Sequence, residues 1–453
     1  MAEINTPFTF TVWRRAPVLI RPTKHNKGEL KLLSDIDDQD GYRNQIPVIM
    51  FYRGNPKMRN YDPVSVIKEA LAKVLVFYYP FAGRLKEGPA RKLMVDCTGE
   101  GVLFVEADAN VTLDQFGEAL VPPFPCFDEL LYDVPKSSGI LNSPLLLIQV
   151  TRLLCGGFIF ALRLNHTMSD AFGIVQFMRA LGEMARGASS PSTLPVWQRE
   201  FLNARNPPRV TCTNHAFDEI IDTNTDITTR MNSMVLKPFF FGPIELSNLR
   251  KFVPKHLKSC STFDVVTACL WHCRTMALQL DPKEEARIAF VVSARTKFSP
   301  PLPKGYYGNC IAITVAISTV FELLNKPFSH TLEIVMKAKT CVNEEYMRSL
   351  ADMLVIKGRP NVTIFQNNIF FVNDLTLARF DVVDFGWGKP KYGGPGTTGP
   401  LDSGFYFPYT NAKGEYGIVV PIYLPSVAME NFVKEMNKML ADRDNNLHAP
   451  SKL

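Results

Sequence analysis

The sequence predicts a mixed α/β protein of two domains. Three observations carry that expectation. The chain has 453 residues, 46% of them hydrophobic and 21% charged, enough for two sizeable cores in an ordinary globular composition. Strand-like runs and helix-like periodicities occur in similar proportion in its two halves. Between the halves, residues 188–232 are rich in Ser, Pro, Asn, Thr and Asp, with few apolar runs after Phe201, as a crossover would be. The expected division is therefore residues 1–187, a crossover linker over 188–232, and residues 233–453. No short-period repeat suggests a solenoid.

Taken in order, residues 8–14 and 46–53 read as strands. Asp62 before Pro63 is a helix start, a capping side chain followed by a proline whose missing N–H is not needed there. Ile67, Ala70, Leu71, Val74 and Leu75 then share one face, and Pro80 stops the helix. Lys92–Asp96 and Val102–Val105 are strands joined around Gly99 and Gly101. Leu145–Val150 is a buried strand that Gly156-Gly157 turns into another, Gly157–Leu164. A helix opens at Asp170, with Ile174, Phe177, Met178 and Leu181 at helical spacing. In the second half, Met234–Phe241, Ala289–Val292, Cys310–Ile317, Ile369–Val372, Phe405–Phe407 and Ile418–Leu424 read as strands. Helices are expected at 244–252, from Ser261, over Thr331–Leu354 as one long element, and over Pro425–Leu440.

Composition excludes several function classes. The net charge of +6 is modest and no long basic run occurs, so nucleic-acid binding is not indicated; the mild positive bias suits an anionic small molecule. The nine cysteines are scattered, odd in number, and form no Cys-x-x-Cys pair. Neither a disulfide framework nor a zinc site is indicated, and a reducing interior is expected. No secretory signal opens the chain, and no apolar run is long enough to span a bilayer. The sequons at Asn110, Asn165 and Asn361 accordingly read as chance matches.

The chemistry gathers at Leu164–Gly173. His166 stands between the strand and the helix that Asp170 opens. Two readings are open. A lone histidine beside an apolar strand is commonly a satisfied core residue, with Asp170 a simple helix cap. At a strand-to-helix junction, however, an imidazole can face a cleft, take a proton from a hydroxyl near neutral pH and return it later.

His166-x-x-x-Asp170, together with Asp384-Phe385-Gly386-Trp387-Gly388 far downstream, resembles the two signatures of the plant acyl-CoA-dependent acyltransferases of the BAHD family. The resemblance extends through Ser34–Asp38, Tyr78-Tyr79-Pro80, Arg91–Cys97 and Gly305–Asn309 and covers nearly the whole chain, on the alcohol-acyltransferase side of the family. It implies an α/β (α+β) fold of two chloramphenicol-acetyltransferase-like domains with a central solvent channel between them. It implies transfer from an aromatic acyl-CoA, benzoyl-CoA, to an alcohol, benzyl alcohol, through a ternary complex with one base, no acyl-enzyme and no metal. Acyl-CoA is then a co-substrate, not a resident cofactor. The alternatives are an acetyl or short-chain acyl donor and, from another class, a non-catalytic acyl-CoA binder.

The resemblance also assigns residues. His166 is the base. Asp170 turns away from it and pairs with Arg295, shaping the site. Asn309 lies near the imidazole and sets its tautomer, or is simply a turn residue after Gly308. Trp387 joins the catalytic group and Asp384 and Gly386 the coenzyme channel, although two glycines and a tryptophan suit a purely structural loop as well. For coenzyme A, the helix start at Ser261-Thr262 offers amides to a phosphate and Lys258 adds charge; the plainer reading is a capped helix with Lys258 solvated. Ser451-Lys452-Leu453 matches the peroxisomal import tripeptide, so a peroxisomal enzyme read by the import receptor is expected, otherwise a cytoplasmic one. A monomer without nucleic-acid or membrane partners completes the expectation.

Overall fold

The structure is a computed structural model that describes residues 8–24, 28–117, 120–134, 139–218, 234–362, 369–399 and 403–441. Among these residues the first half contains strands β1 (Val12–Arg14), β2 (Val18–Ile20), β3 (Leu30–Leu32), β4 (Gln45–Tyr52), β5 (Arg84–Glu87), β6 (Leu93–Asp96), β7 (Val102–Ala109), β8 (Leu146–Leu153) and β9 (Phe158–Asn165). The second contains β10 (Met234–Phe241), β11 (Glu285–Ser293), β12 (Ile311–Thr319), β13 (Ile369–Asp374), β14 (Tyr392–Pro395), β15 (Ser403–Thr410) and β16 (Tyr416–Pro425). One sheet runs β1-β7-β8-β9-β4-β14, with β2 also on β7; another runs β10-β16-β15-β13-β11-β12; a small one is β3-β6-β5.

The inner strands β4, β8 and β9 of the first sheet are buried on both faces, which is why β4 and β9 read as largely apolar runs. Along β9, Phe158, Phe160, Leu162 and Leu164 join one cluster, while Ile159 and Ala161 join another on the opposite face, the period of two that a pleated strand imposes. The first cluster packs against helices Pro63–Val74 and Ala171–Ala185, through Ile67, Leu71 and Val74 on one and Ile174, Phe177 and Leu181 on the other. Asp62 caps the former helix as expected, accepting from the Ser65 amide at 3.1 Å, with Pro63 in the first turn. In the second half, helices Thr262–Leu278 and Ser426–Leu440 cover the six-stranded sheet around Leu270, Trp271, Phe290, Phe432 and Met436.

Three features depart from expectation. The long helix over Thr331–Leu354 is two helices, Phe328–Cys341 and Glu344–Ile356. Asn343 adopts extended backbone between them and its side chain accepts from the Tyr346 amide at 2.9 Å, so a local cap outcompetes helix continuation. Second, a segment of the second half packs on the first. Ala378, Phe380, Val383, Phe385 and Trp387 join the first-half core, and β14 pairs antiparallel with β4, Tyr392 opposite Phe51. Third, the crossover is stitched to both halves where it is described. Arg199 is buried, the Ala204 amide donates to Asp35 at 2.8 Å, and Arg205 Nε donates to Asp352 at 2.6 Å. Among the described residues no helix is long and apolar enough to cross a membrane.

Candidate active site

His166 is held by its backbone before its ring does anything. Strands β4 and β9 pair with Gln45 opposite Asn165, and one step further the His166 amide donates to the Asn44 carbonyl at 2.9 Å. A single 3-10 turn, His166–Met168, then leads to the helix at Ala171, and Asn165 Oδ1 accepts from the Thr167 amide and hydroxyl. Imidazole Nδ1 lies 3.2 Å from the Ser169 carbonyl oxygen. A carbonyl only accepts, so Nδ1 carries the hydrogen and Nε2 keeps its lone pair. Burial holds the imidazole below its ordinary value of 6.5, against the opposing pull of the Asp170 and Asp37 charges. The ring is therefore neutral at pH 7, the state a general base needs. The Tyr42 ring stacks on it, with centroids 4.3 Å apart and planes 21° from parallel.

Asp170 both caps the helix and meets Arg295. Its Oδ1 accepts from the Gly173 amide at 3.0 Å, the helix cap, and from Arg295 Nη2 at 2.7 Å, the ion pair. Its Oδ2 accepts from the Cys310 amide at 3.0 Å. No bond joins it to the imidazole, whose Nδ1 is taken by Ser169, so the geometry is not a His–Asp dyad. Arg295 goes on to donate to the carbonyls of Tyr306 at 2.7 Å and Gly308 at 2.6 Å. Gly173 allows this packing, because a Cβ there would lie 2.1 Å from the Tyr307 carbonyl oxygen. The Cys310 thiol beside this pair is pushed up to about 12 by burial, which leaves it protonated and no nucleophile.

Asn309 reaches His166, but not its ring. Its Nδ2 donates to the His166 carbonyl at 2.8 Å and to Asp37 Oδ1 at 2.9 Å, and its amide donates to the same oxygen at 2.9 Å. The tautomer is thus set by Ser169, and Asn309 fixes the turn on which the ring stands. Asp37 is fully buried and pairs with Arg199 Nη1 at 2.9 Å, while Arg199 Nη2 donates to the Met168 carbonyl at 2.8 Å. Gly308 makes room, since a Cβ there would meet Arg199 Nη1 at 1.8 Å. Two buried ion pairs, Asp170–Arg295 and Asp37–Arg199, therefore brace the His166 turn. Asp37, Tyr42 and Arg199 were not singled out from the sequence. Asp37 at least sits in the Ser34–Asp38 segment that carries the resemblance; Arg199 lies in the polar crossover and Tyr42 in no motif.

The remaining expected residues fall into two separate groups. Asp384 Oδ1 accepts from the amides of Gly386 at 2.7 Å and Gly388 at 2.9 Å, closing its own loop around two glycines at positive φ. Arg186 donates to the Asp384 carbonyl, and Phe385 and Trp387 are buried against β9. Trp387 packs edge-on against Phe158 with centroids 5.3 Å apart. Phe158 and His166 stand at opposite ends of β9, roughly 25 Å apart at about 3.3 Å per residue. This corrects the placement of Trp387 with the catalytic group: it packs in the first-half core at the end of β9 away from His166. Ser261 caps helix Thr262–Leu278, its hydroxyl accepting from the Asp264 amide at 3.2 Å while Asp264 accepts from the Ser261 amide at 2.7 Å. That capping box is the plainer of the two readings of this helix start, and the Asp264 carboxylate already occupies part of its anion-attracting end. Lys339 pairs with Asp264, Arg250 Nη2 donates to Thr262 at 3.3 Å, and Lys258 is exposed nearby. Ser451, Lys452 and Leu453 lie outside the described residues. Among the described residues no group of three or more His, Cys, Asp or Glu could hold a metal ion.

Comparison with known proteins agrees with this architecture. The family model described as Transferase family matches residues 11–439. The chain is 61% identical over 452 residues to a benzyl alcohol O-benzoyltransferase of Nicotiana tabacum, covering 98% of both chains. It is 52% identical over 449 residues to an alcohol acyl transferase of Malus domestica, covering 97% of this chain and 98% of that one. The solved structure of vinorine synthase superposes with a TM-score of 0.69 at 21% identity, covering 95% of this chain and 98% of that one, which supports the two-domain fold. With its family model, its whole-length relatives and its His166 and Asp384 motifs in agreement, this chain belongs to the Transferase family, the BAHD acyltransferases.

Proposed function

We propose that the protein transfers a benzoyl group from benzoyl-CoA to benzyl alcohol, giving benzyl benzoate and free coenzyme A. The observation that carries the substrates is the 61% identity across 98% of both chains to a benzyl alcohol O-benzoyltransferase. The chemistry rests on His166, whose Nε2 is left free by the Nδ1 contact to Ser169. Nε2 takes the proton from the alcohol as its oxygen attacks the thioester carbonyl carbon. The tetrahedral intermediate collapses, the C–S bond breaks, and the departing thiolate recovers the proton from the imidazolium. A thiolate leaves readily, so neither a cysteine nucleophile nor a metal enters the scheme. Donor and acceptor reach His166 through a channel between the two halves, with the Ser261-Thr262 helix start, Lys258 and Arg250 on the coenzyme side. The enzyme acts as a monomer, and Ser451-Lys452-Leu453 sends it to peroxisomes.

A second reading is favoured by the 52% identity to an alcohol acyl transferase: an acetyl or short-chain donor with aliphatic alcohols. Mass spectrometry of products from a mixed panel of acyl-CoAs and alcohols decides. Benzyl benzoate should dominate, and acetyl or butyl esters in its place would select the second reading. His166→Ala should lower the rate of whichever ester forms by about a hundred- to ten-thousand-fold. Wild-type turnover by the folded variant would remove His166 from the mechanism.

A further inference from the structure

We infer that Tyr42 is a positioning residue for the base: its ring, stacked on His166, keeps Nε2 turned to the reacting hydroxyl and stabilises the imidazolium that proton transfer creates. This rests on His166 acting as the base. The two rings are mounted on segments that are themselves tied together. Tyr42 ends the 3-10 turn Asp40–Tyr42, its amide donating to the Gln39 carbonyl at 2.9 Å. Arg43 clamps the same turn through Asp38 at 2.8 Å. Two residues after Tyr42, the Asn44 carbonyl accepts the His166 amide at 2.9 Å. The stack is therefore set by the register of β4 against β9, not by chance contact of mobile side chains.

The physical consequence follows from the ring geometry. With Nδ1 bonded to Ser169, the imidazole can still tilt about its last torsion, and a near-parallel ring at 4.3 Å over one face blocks that motion. An aromatic face carries negative electrostatic potential and attracts a cation within about 6 Å of its centroid. Neutral imidazole gains less from this than imidazolium, so the benefit appears as the proton arrives, where it accelerates the reaction. The charged groups facing His166 are paired already. Asp170 is held by Arg295 and Asp37 by Arg199, and Cys310 beside Asp170 keeps its proton. The Tyr42 phenol is itself no competing base: burial, reinforced by the Asp170 and Asp37 charges, holds it far above its ordinary value of 10, so it stays neutral.

The test compares Tyr42→Phe, which keeps the ring, with Tyr42→Leu, which keeps the bulk, in the full-length enzyme. Tyr42→Phe should retain wild-type kcat and the same pH profile. Tyr42→Leu should keep its KM values but lose roughly tenfold in kcat, and the acid limb of kcat/KM should move down by about half a pH unit to one unit. If Tyr42→Leu does not fold, Tyr42→Met serves with the same expectation. An acid limb that stays put or moves up in the aliphatic variant, or a Tyr42→Phe enzyme as impaired as Tyr42→Leu, overturns the proposal. An NMR titration of the His166 imidazole, assigned with His166→Gln, reads the same downward shift without turnover. If the wild type made no ester from any panel, the acyl-transfer reading would fail while this titration still tested the stack.

Discussion

Replacing Asp170 with asparagine separates a brace from a dyad. In the wild type one carboxylate serves three donors: Arg295 Nη2 at 2.7 Å, the Gly173 amide at 3.0 Å and the Cys310 amide at 3.0 Å. An asparagine amide has a single acceptor oxygen. Turned one way, its NH2 faces the Cys310 amide; turned the other, it faces Arg295 and Gly173. Either way a buried donor loses its acceptor and Arg295 loses its counter-charge. Removing one member of a buried ion pair costs about 3–5 kcal/mol. Arg295 keeps the Tyr306 and Gly308 carbonyls, which places the loss near the lower end, ~3 kcal/mol. At roughly 2–4 °C per kcal/mol for a folding unit of this size, the melting temperature should fall by about 6–12 °C. Calorimetry run beside initial-rate kinetics measures both effects. Arg295→Met removes the opposing charge, so the double variant should be less damaged than the sum of the singles, with a coupling of about 2 kcal/mol. An unchanged melting temperature with abolished turnover would refute the reasoning, because it would mean that the Asp170 charge acts on the imidazole itself.

The remaining expectations concern pH, the Asp384 loop and location. Because His166 is held below 6.5 in the folded state, kcat/KM should rise through one apparent pKa below that value and be flat at neutral pH; a limb centred above 6.5 would contradict the neutral-base assignment. The unfolded chain binds that proton more readily, so the His166 contribution to stability is whole above pH 6.5 and is lost as pH falls toward the folded value, which pH-dependent melting reads. Trp387→Ala should cost about 3–5 kcal/mol as a buried aromatic truncation while the folded fraction keeps near-normal kinetics; full stability with lost turnover would return Trp387 to the reacting centre. Deleting Leu453 should leave the purified enzyme active but cytosolic in cells, and an N-terminal fluorescent fusion of the whole chain should reach peroxisomes. Diffuse fluorescence from that fusion would make Ser451-Lys452-Leu453 a chance ending.

Local signals were legible where local physics decides. Asp62-Pro63 reads as a helix start because a cap and a first-turn proline need nothing from the rest of the chain. The apolar run before His166 reads as a strand because burial on both faces leaves Arg163 as the one charged position between Phe158 and Leu164. Asn343 escaped notice because the helical periodicity continues across it, and only its extended backbone shows that the cap prevailed. Strand β14 escaped because Tyr392-Gly393-Gly394-Pro395 has the composition of a turn, and it becomes a strand only against β4.

The chain alone carried the family and the His166–Asp170 pair, because these two residues are close along the sequence and their spacing carries over into any strand-to-helix junction. It determined equally that Asp170 caps a helix, which is a matter of four consecutive residues. Which groups hold His166 in place depends on tertiary structure. Arg199 comes from a polar crossover, Asp37 from near the start of the chain and Asn309 from the second half, and they meet only because the folded halves bring their loops to one turn. Tyr42 and Trp387 divide the same way. Both are aromatic and buried, yet the pairing of β4 with β9 puts Tyr42 on the imidazole, while packing of the Asp384 loop against Phe158 leaves Trp387 at the strand's far end. Side-chain identity states what a residue can do, and the register of distant strands states where.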